Sequence, residues 1–320
     1  MYSVGLDVDK HVFTEKILLY AGNSYISGPL AFIALGIIYL IQSKTLEGLP
    51  AGNLGFSTKA AILTKNTTNK YTNSALISEH VPNHKTNLTD VQLGYFLAGL
   101  IEGDGWFSNK QLEITFPQND ASLAYYIKKR IGYGSVLKIK EKKVAKYVCK
   151  HEKGLSLILS LINGKFVSNS KYEQLIKHNY VGHFNIHILP ASNSLRLDNY
   201  WLAGFTQVNG RFYINVEKSK TSKSGYSVRL EYSLKQDHRG LASQASLKKN
   251  YFLSPSPLKL LQDILKSGDL SQSNTGISCY KTTSFNTAWD LINYFDRFNL
   301  FAGKYVDYLK FRKVYIKIIN

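Results

Sequence analysis

One stretch of thirteen residues occurs twice in this chain, and the repeat constrains the fold more than any other feature. Residues 95–107 read YFLAGLIEGDGWF and residues 200–212 read YWLAGFTQVNGRF, with six identical positions. A repeat of this kind indicates two equivalent structural units that pack together. Each copy predicts a helix with a glycine in its middle, which costs about 1 kcal/mol relative to alanine. Two helices that approach closely recover this cost, so we expect the copies to pack face to face.

The residues after each copy repeat one order of elements. Alternation of apolar and polar residues predicts half-buried strands, and a period near 3.6 predicts helices. In the first half we expect helices at 91–103, 120–131 and 155–163 and strands at 111–117, 135–140 and 145–150. In the second half we expect strands at 211–216, 226–234 and 276–282 and helices at 258–266 and 286–298. Each half is therefore an α+β unit of helix, two strands, helix, two strands and helix.

Several local signals accompany this pattern. Asp90 is expected to cap the first helix, and Gly105 is expected to end it in a left-handed conformation. Val216 is expected to face inward with Phe212 and Ile214. The halves should meet near 188–199, where proline, serine and asparagine interrupt the periodicity. The predicted domains are an extension at 1–88, a first half at 89–187, a linker at 188–199 and a second half at 200–320.

The charge of the chain is concentrated in the repeated part. The net charge is +18 and the pI is about 9.6. Up to residue 88 there are seven lysines, no arginine and five acids, so 16 of the positive charges belong to residues 89–320. A basic surface favours a polyanionic partner such as nucleic acid, although ribosomal and membrane-surface proteins share this property. Two cysteines exclude a four-cysteine zinc site and a disulfide framework.

The first 88 residues have a different composition. The apolar run at 25–41 reaches only the lower limit of a membrane span, so a membrane protein is a minor alternative and we expect no stable membrane partner. Acidic residues before this run argue against a signal peptide. Residues 42–90, which are rich in threonine, asparagine, glycine and lysine, predict a linker with little reason to fold.

Asp104 and Asn209 are the chemically informative difference between the two copies. Asp104 falls at the negative end of a helix dipole, which disfavours a carboxylate by roughly 0.3–1 kcal/mol unless a cation is nearby. Close packing would bring positions 104 and 209 together as a site for a hard cation such as Mg²⁺. With a phosphate as a further ligand, this arrangement suits metal-assisted cleavage of a phosphodiester. Asn209 offers a carbonyl oxygen without charge, so the second cation position should be weakened, and Val208 in place of Gly103 makes the contact asymmetric.

The stretches LAGLIEGDG (97–105) and LAGFTQVNG (202–210) resemble the paired signature of LAGLIDADG homing endonucleases in their single-chain, two-repeat form. The resemblance covers about residues 89–320. It implies two pseudo-symmetric αββαββα halves that form a DNA-binding saddle, with a poorly ordered or partly helical N-terminal extension. It places the polar strand faces in the major groove, where base edges are distinguishable. The residues so assigned to DNA are Gln111, Glu113, Thr115, Arg211, Tyr213, Asn215, Ser227, Arg229, Glu231 and Ser233.

The resemblance also implies roles at the centre of the saddle. Asp104 matches the family's metal-binding acid, whereas Asn209 departs from it, and the implied cofactor is Mg²⁺. Lys171 and Lys304, each followed by tyrosine, match a lysine near the reacting phosphate, although either alone would be read as a solvated surface residue. Gln118 and Gln236 match a polar residue after the second strand that positions water. The first hairpin is short, and additional residues near 242–257 suggest an insertion.

The opening residues, MYSVGLDVD, resemble part of cytochrome c oxidase subunit 1. Beside the signature, this implies an upstream exon read into a mitochondrial group I intron, so the protein would be made inside the organelle. The predicted function is a monomeric, intron-encoded endonuclease that cuts double-stranded DNA at an exon junction. The alternative is a maturase that binds its own group I intron RNA and has lost efficient DNA cleavage.

Overall fold

A computed structural model of the chain describes residues 77–222, 225–237, 256–274 and 276–319. All features below lie within one compact unit, residues 68–320. The apolar run at 25–41 and the insertion proposed near 242–257 fall outside the described residues, apart from the last two positions of the latter. Among the residues that are described, no helix combines the length and the apolar character needed to cross a membrane.

The first half begins with a long central helix and continues with a four-stranded sheet. Its elements are α1 (Asp90–Asp104), β1 (Gly105–Ser108), β2 (Gln111–Pro117), a 3₁₀ turn (Gln118–Asp120), α2 (Ala121–Ile131), β3 (Ser135–Ile139), β4 (Val144–Cys149), α3 (Glu152–Ile162), α4 (Asn169–Lys177) and α5 (Tyr180–Phe184). Helices α4 and α5 were not expected from the sequence. The segment between α5 and the next helix contains neither helix nor strand and includes the expected boundary.

The second half repeats this order. Its elements are α6 (Trp201–Asn209), β5 (Gly210–Lys218), β6 (Tyr226–Asp237), α7 (Pro257–Leu265), β7 (Asp269–Gln272), β8 (Ile277–Thr282), α8 (Phe285–Arg297) and α9 (Ala302–Ile319). The expected strands and helices are confirmed to within a few residues at each end. Strand β7 and helix α9 carried no clear signal in the sequence.

The two sheets have the same topology. The strand orders are β1-β2-β4-β3 and β5-β6-β8-β7, and every neighbouring pair is antiparallel. Gly105 pairs with Ile114 in the first sheet, and Gly210 pairs with Leu234 in the second. These pairs mark equivalent positions at the centre of the molecule. One face of each sheet packs on the helices, since Leu112, Ile114 and Phe116 are fully buried.

The repeated helices α1 and α6 form the centre of the core. A Cβ atom added to Gly99 would lie 2.0 Å from the Trp201 carbonyl oxygen, and one added to Gly204 would lie 2.0 Å from the Phe96 carbonyl oxygen. Real Cβ atoms do not approach this closely, so the contact requires glycine in both helices. The expected close packing of the two copies is therefore confirmed.

Two local expectations at the ends of α1 are wrong. Thr89, not Asp90, is the N-cap: its hydroxyl accepts from the Gln92 N–H, and the Gln92 side chain accepts from the Thr89 N–H. Gly105 is extended, with φ of −93°, because β1 begins directly at the end of the helix. Glycine is required here by contact rather than by φ, since a Cβ at this position would lie 2.6 Å from the Ile101 Cα.

The expected linker is wrong for the residues just before α1, which pack on the second half. The Nε2 atom of His84 lies 2.8 Å from the Leu300 carbonyl oxygen, and its ring stacks on Tyr305 at 4.2 Å between centroids. The Lys85 N–H donates to the Asn299 side chain at 2.8 Å. Arg312 donates to the Ser78 carbonyl at 2.7 Å. We refer to residues 78–85 as the strap.

Candidate nuclease centre at the paired helix ends

Asp104 and Asn209 end the two central helices and lie on either side of their contact. A Cβ on Gly103 would lie 2.4 Å from Val208 Cγ2 and 3.1 Å from Asn209 Nδ2. Val208 thus occupies the space that Gly103 leaves open, which is the expected asymmetry. The Nδ2 atom of Asn209 is buried and has no hydrogen-bond partner.

The Asp104 carboxylate, at the exposed end of α1, lies near charged groups from both halves. Desolvation raises the pKa of this carboxyl to about 6, Lys171 and Lys146 oppose the rise, and Asp237 adds to it. Asp237 belongs to β6 of the second half, so a second carboxylate acts on Asp104 from across the centre. A bound cation would relieve this repulsion, because it favours the ionised forms of both groups.

Lys171 and Lys304 occupy equivalent positions in the two halves. The Lys171 ammonium donates to the Gly105 carbonyl at 2.6 Å, and the Lys304 ammonium donates to the Gly210 carbonyl. Each lysine therefore lies beside the residue that follows position 104 or 209. Lys171 is only 9% exposed, which overturns the reading of a solvated surface residue.

Burial changes the proton affinity of both lysines. It lowers the pKa of Lys171 to about 8, and the nearby charges of Glu102 and Asp104 oppose that shift. Burial also lowers the pKa of Lys304, and Asp120 and Asp307 oppose the shift. A lysine with a pKa near 8 remains largely protonated at neutral pH but releases a proton readily.

Glu102 and Gln207, the sixth residues of the two signatures, hold the turns that carry these lysines. Both are buried. The Ser168 N–H donates to Glu102 at 2.7 Å, and the Phe301 N–H donates to Gln207 at 2.9 Å. Because Ser168 and Phe301 each stand three residues before the lysine of their half, the same device is used twice. The sequence analysis missed both residues, although their shared place in the repeat was a usable signal.

Gln118 and Gln236 do not occupy equivalent positions. Gln118 is exposed and follows β2, as expected. It stands four residues after Ile114, the position equivalent to Leu234. Gln236 lies within β6 rather than after it, two residues beyond Leu234 and on the buried face of the strand. Its Oε1 atom is buried without a hydrogen-bond partner. The expectation that Gln236 follows the strand is wrong because β6 extends to Asp237.

The polar residues assigned to DNA lie on the sheet faces opposite the helices. Strand pairing sets Arg211 beside Ser233, Tyr213 beside Glu231 and Asn215 beside Arg229. In the first sheet this face carries Gln111, Glu113 and Thr115, and Glu113 pairs with Lys146 at 3.0 Å. Ser227 and Arg229 are exposed.

Three residues of the second sheet depart from the expected exposure. Glu231 and Ser233 lie on the outer face of the sheet, but they are buried rather than exposed. Arg229 and Lys281 pair with Glu231 at 2.9 and 2.8 Å and cover it. Although burial acts in the opposite direction, these two cations hold the pKa of Glu231 below its usual value. Val216 is 56% exposed rather than inward, because β5 extends beyond the core at this end.

The residues at the centre fit a divalent cation that is completed by a substrate. Asp104 offers carboxylate oxygens, and Asn209 offers an amide oxygen if its carbonyl turns toward the cation. Mg²⁺ typically binds one or two carboxylates together with substrate phosphates rather than an all-protein cage. Within the described part of the chain, no cluster of three or more His, Cys, Asp or Glu is found.

Comparison with known proteins places this geometry in a family context. The family model described as LAGLIDADG endonuclease matches residues 202–315. A Schizosaccharomyces pombe protein, named as an uncharacterized cox1 intron-2 37.2 kDa protein, is 36% identical over 316 residues, which cover 94% of this chain and 90% of that protein. The intron-encoded DNA endonuclease aI3 of Saccharomyces cerevisiae is 26% identical over 72% of this chain and 64% of its own length.

A maturase and a solved structure are also similar. The intron-encoded RNA maturase bI4 of Saccharomyces cerevisiae is 29% identical over 44% of this chain and 22% of its own length. The crystal structure of the LAGLIDADG meganuclease I-AabMI bound to uncleaved DNA aligns with a TM-score of 0.51 and 21% identity, and it covers 70% of this chain and 91% of that one. The structural likeness agrees with two four-stranded sheets packed on central helices.

Proposed function

Because this chain belongs to the LAGLIDADG endonuclease family, we propose that it is an intron-encoded, site-specific endonuclease that hydrolyses phosphodiesters in double-stranded DNA. The observation that carries the proposal is the matched pair of lysines. Lys171 and Lys304 donate to the carbonyls of Gly105 and Gly210, next to the two positions where the family holds metal. A merely basic DNA-binding fold has no need for a buried lysine and a partly buried lysine at equivalent places.

The chain's own residues supply three functions in this mechanism. The basic strand faces bind the duplex and place one phosphate of each strand at the centre. A divalent cation held by Asp104 and the substrate, with Asn209 as a weaker second ligand, would polarise the phosphate and activate water. The Lys171 ammonium stabilises charge that develops on the phosphate and, with a pKa of about 8, can donate a proton to the leaving oxygen. The Lys304 ammonium, whose pKa burial also lowers, stabilises charge on the phosphate of the other strand.

The proposed setting is a mitochondrion. One relative is named as the product of a cox1 intron, and MYSVGLDVD resembles cytochrome c oxidase subunit 1, so we infer that the protein is encoded and made inside the organelle. The target would be the cox1 exon junction that lacks the intron. Since one chain carries both halves, it would act as a monomer.

A maturase function is the second candidate, and Asn209 favours it. RNA binding requires the basic surface but not two metal-binding acids. The resemblance to a protein named as an RNA maturase supports the same candidate.

One experiment distinguishes the two functions. Purified protein is incubated with a plasmid that carries the intronless exon junction, with Mg²⁺ or with EDTA, and binding to the junction duplex and to the intron RNA is measured in parallel. The endonuclease proposal expects metal-dependent nicking or cutting that Asp104→Asn abolishes while duplex binding persists. Tighter binding to the intron RNA, without any cutting of the junction, would support the maturase instead.

A further inference from the structure

Asp120 is a buried carboxylate whose local position does not explain its contacts. It stands at the N-cap of α2 and is only 3% exposed, yet its side chain makes no capping hydrogen bond to that helix. An aspartate at an N-cap ordinarily accepts from a backbone N–H of the first turn. The side chain reaches into the other half of the molecule instead.

In the second half, Asp120 contacts the turn that leads to Lys304. Its Oδ1 atom accepts the Gly303 N–H at 2.8 Å, and its Oδ2 atom accepts from Gln207 Nε2 at 3.1 Å. Gly303 directly precedes Lys304. A Cβ on Gly303 would lie 3.0 Å from Asp120 Oδ1, so a larger residue here would crowd the carboxylate.

In the first half, one side chain makes all of the corresponding contacts with the lysine turn. There the Glu102 carboxylate alone accepts the Ser168 N–H, the Ser168 hydroxyl and the Val167 N–H at 2.6–2.8 Å. The second half has Gln207 at this place, and an amide has only one acceptor oxygen. That oxygen accepts the Phe301 N–H, and the Gly303 N–H donates to Asp120 instead. Asp120 supplies the missing carboxylate from the first half.

The turn held in this way is conformationally strained. Ala302 has φ of 49°, in the left-handed region that residues other than glycine disfavour. Such a conformation persists where the surrounding contacts over-determine it. Contacts on both sides fix it here, since Gln207 binds both backbone polar groups of Phe301 and Asp120 binds the Gly303 N–H.

We propose that Asp120 is a positioning residue for Lys304, contributed across the molecule by the first half. With Gln207 it fixes the turn at 301–303 and so directs the Lys304 ammonium to the Gly210 carbonyl. The two halves are thereby coupled, because a residue between β2 and α2 of the first half orders the lysine of the second half. This inference rests on the proposed function of Lys304 at that centre.

The anchoring itself is tested without any cutting. Amide deuterium exchange of the full-length chain is followed in peptides covering 299–306 and, as an internal control, in peptides covering 166–173. In Asp120→Ala we expect exchange at 299–306 to become about tenfold faster, because the Gly303 N–H loses its acceptor, with no change at 166–173. The exposed neighbour variant Asn119→Ala should resemble wild type. Equal exchange in Asp120→Ala and wild type would overturn the inference.

Strand-resolved cleavage then tests the functional coupling. Lys304→Met identifies the DNA strand on which Lys304 acts, since the rate at which that strand is cut should fall. Asp120→Ala should slow cutting of that same strand at least about tenfold while the DNA Kd stays within about threefold, as expected when geometry rather than binding is lost. In the Lys304→Met background, Asp120→Ala should have no further effect on that strand.

The outcomes separate this inference from the proposed function. If Lys304→Met cuts both strands at the wild-type rate, the proposed role of Lys304 fails, whereas the exchange experiment still decides whether Asp120 anchors the turn. A further tenfold loss caused by Asp120→Ala in the Lys304→Met background would overturn the coupling through Lys304. If Asp120→Ala does not fold, the nearly isosteric Asp120→Asn, which sets a donor against Gln207, is measured with the same expected direction.

Discussion

The side chain at position 209 differs from that of the equivalent Asp104 by a single heavy atom. The amide and the carboxylate are nearly isosteric, but the buried Nδ2 atom of Asn209 has no acceptor. Replacing it with oxygen removes an unsatisfied donor and adds a charge close to Gly103 of the other half. We expect Asn209→Asp to increase cutting of both strands in Mg²⁺ and to lower the melting temperature in EDTA, since the added carboxylate repels Asp104. Unchanged cutting and an unchanged melting temperature would contradict the proposed pairing.

Lys171 should leave a signature in the pH dependence of stability. Its pKa is lowered to about 8 in the folded chain, below its ordinary value when unfolded. The unfolded chain therefore binds more protons above pH 8, and stability from this group rises with pH up to the unfolded pKa. We expect the unfolding free energy of wild type, relative to Lys171→Met, to rise by about 2 kcal/mol between about pH 7 and 9.5. Urea titrations at the two pH values measure it, and a constant difference would mean that the lysine is solvated.

The catalytic roles of Asp104, Lys171 and Lys304 stay predictions. The repeated signature, with the resemblance it carries, predicted all three residues at the centre, where the structure places them. It could not predict Asp120. An aspartate before a helix looks like an ordinary N-cap, and only the tertiary structure shows that it binds Gly303 instead. Burial of Glu231 was hidden for a similar reason, since its partner Lys281 comes from a strand fifty residues away.

At the scale of elements, periodicity predicted most helices and strands, and it failed where long-range contacts determine the structure. The strap is the clearest case: its composition indicates a linker, but Asn299, Leu300 and Tyr305 bind it. These three partners of the strap lie only a few residues before or after Lys304 in the sequence. The strap therefore adds a third support to the turn that Gln207 and Asp120 hold.

Two histidines of this segment provide a matched test of the strap. Both residues are exposed, but the ring of His84 contacts Leu300 and stacks on Tyr305. His80 takes part through its backbone, which donates to Ser78 and accepts from Arg312. We expect His84→Ala to lower the unfolding free energy by about 1–2 kcal/mol, from one hydrogen bond and one ring contact. His80→Ala should change it by less than about 0.5 kcal/mol. Equilibrium urea unfolding measures both, and equal effects would show that the strap adds no stability through His84.

At the scale of the whole molecule, the two halves share a sheet topology but differ in the length of their strands. Strand β1 has four residues and β5 has nine, and their partners β2 and β6 have seven and twelve. The expected shortness of the first hairpin is therefore confirmed. The halves are nevertheless joined closely, because Glu102 accepts from Trp201 across the centre and Asp120 accepts from Gln207. Because the two sheets differ in length and share one closely packed centre, they should contact DNA over different lengths.

This inequality predicts an asymmetric footprint on the target duplex. Each strand residue advances about 3.3 Å, so the five additional residues of β5 extend the second sheet by roughly 16 Å, or about 4–5 base pairs. Hydroxyl-radical footprinting of the exon-junction duplex in Ca²⁺ should show protection about four base pairs longer on one side of the cleavage centre. Arg211→Ala and Tyr213→Ala, which lie on β5, should weaken protection on the long side only. Glu113→Ala and Thr115→Ala, which lie on β2, should change protection on the short side. Protection of equal length on both sides would contradict the difference in length between the two sheets.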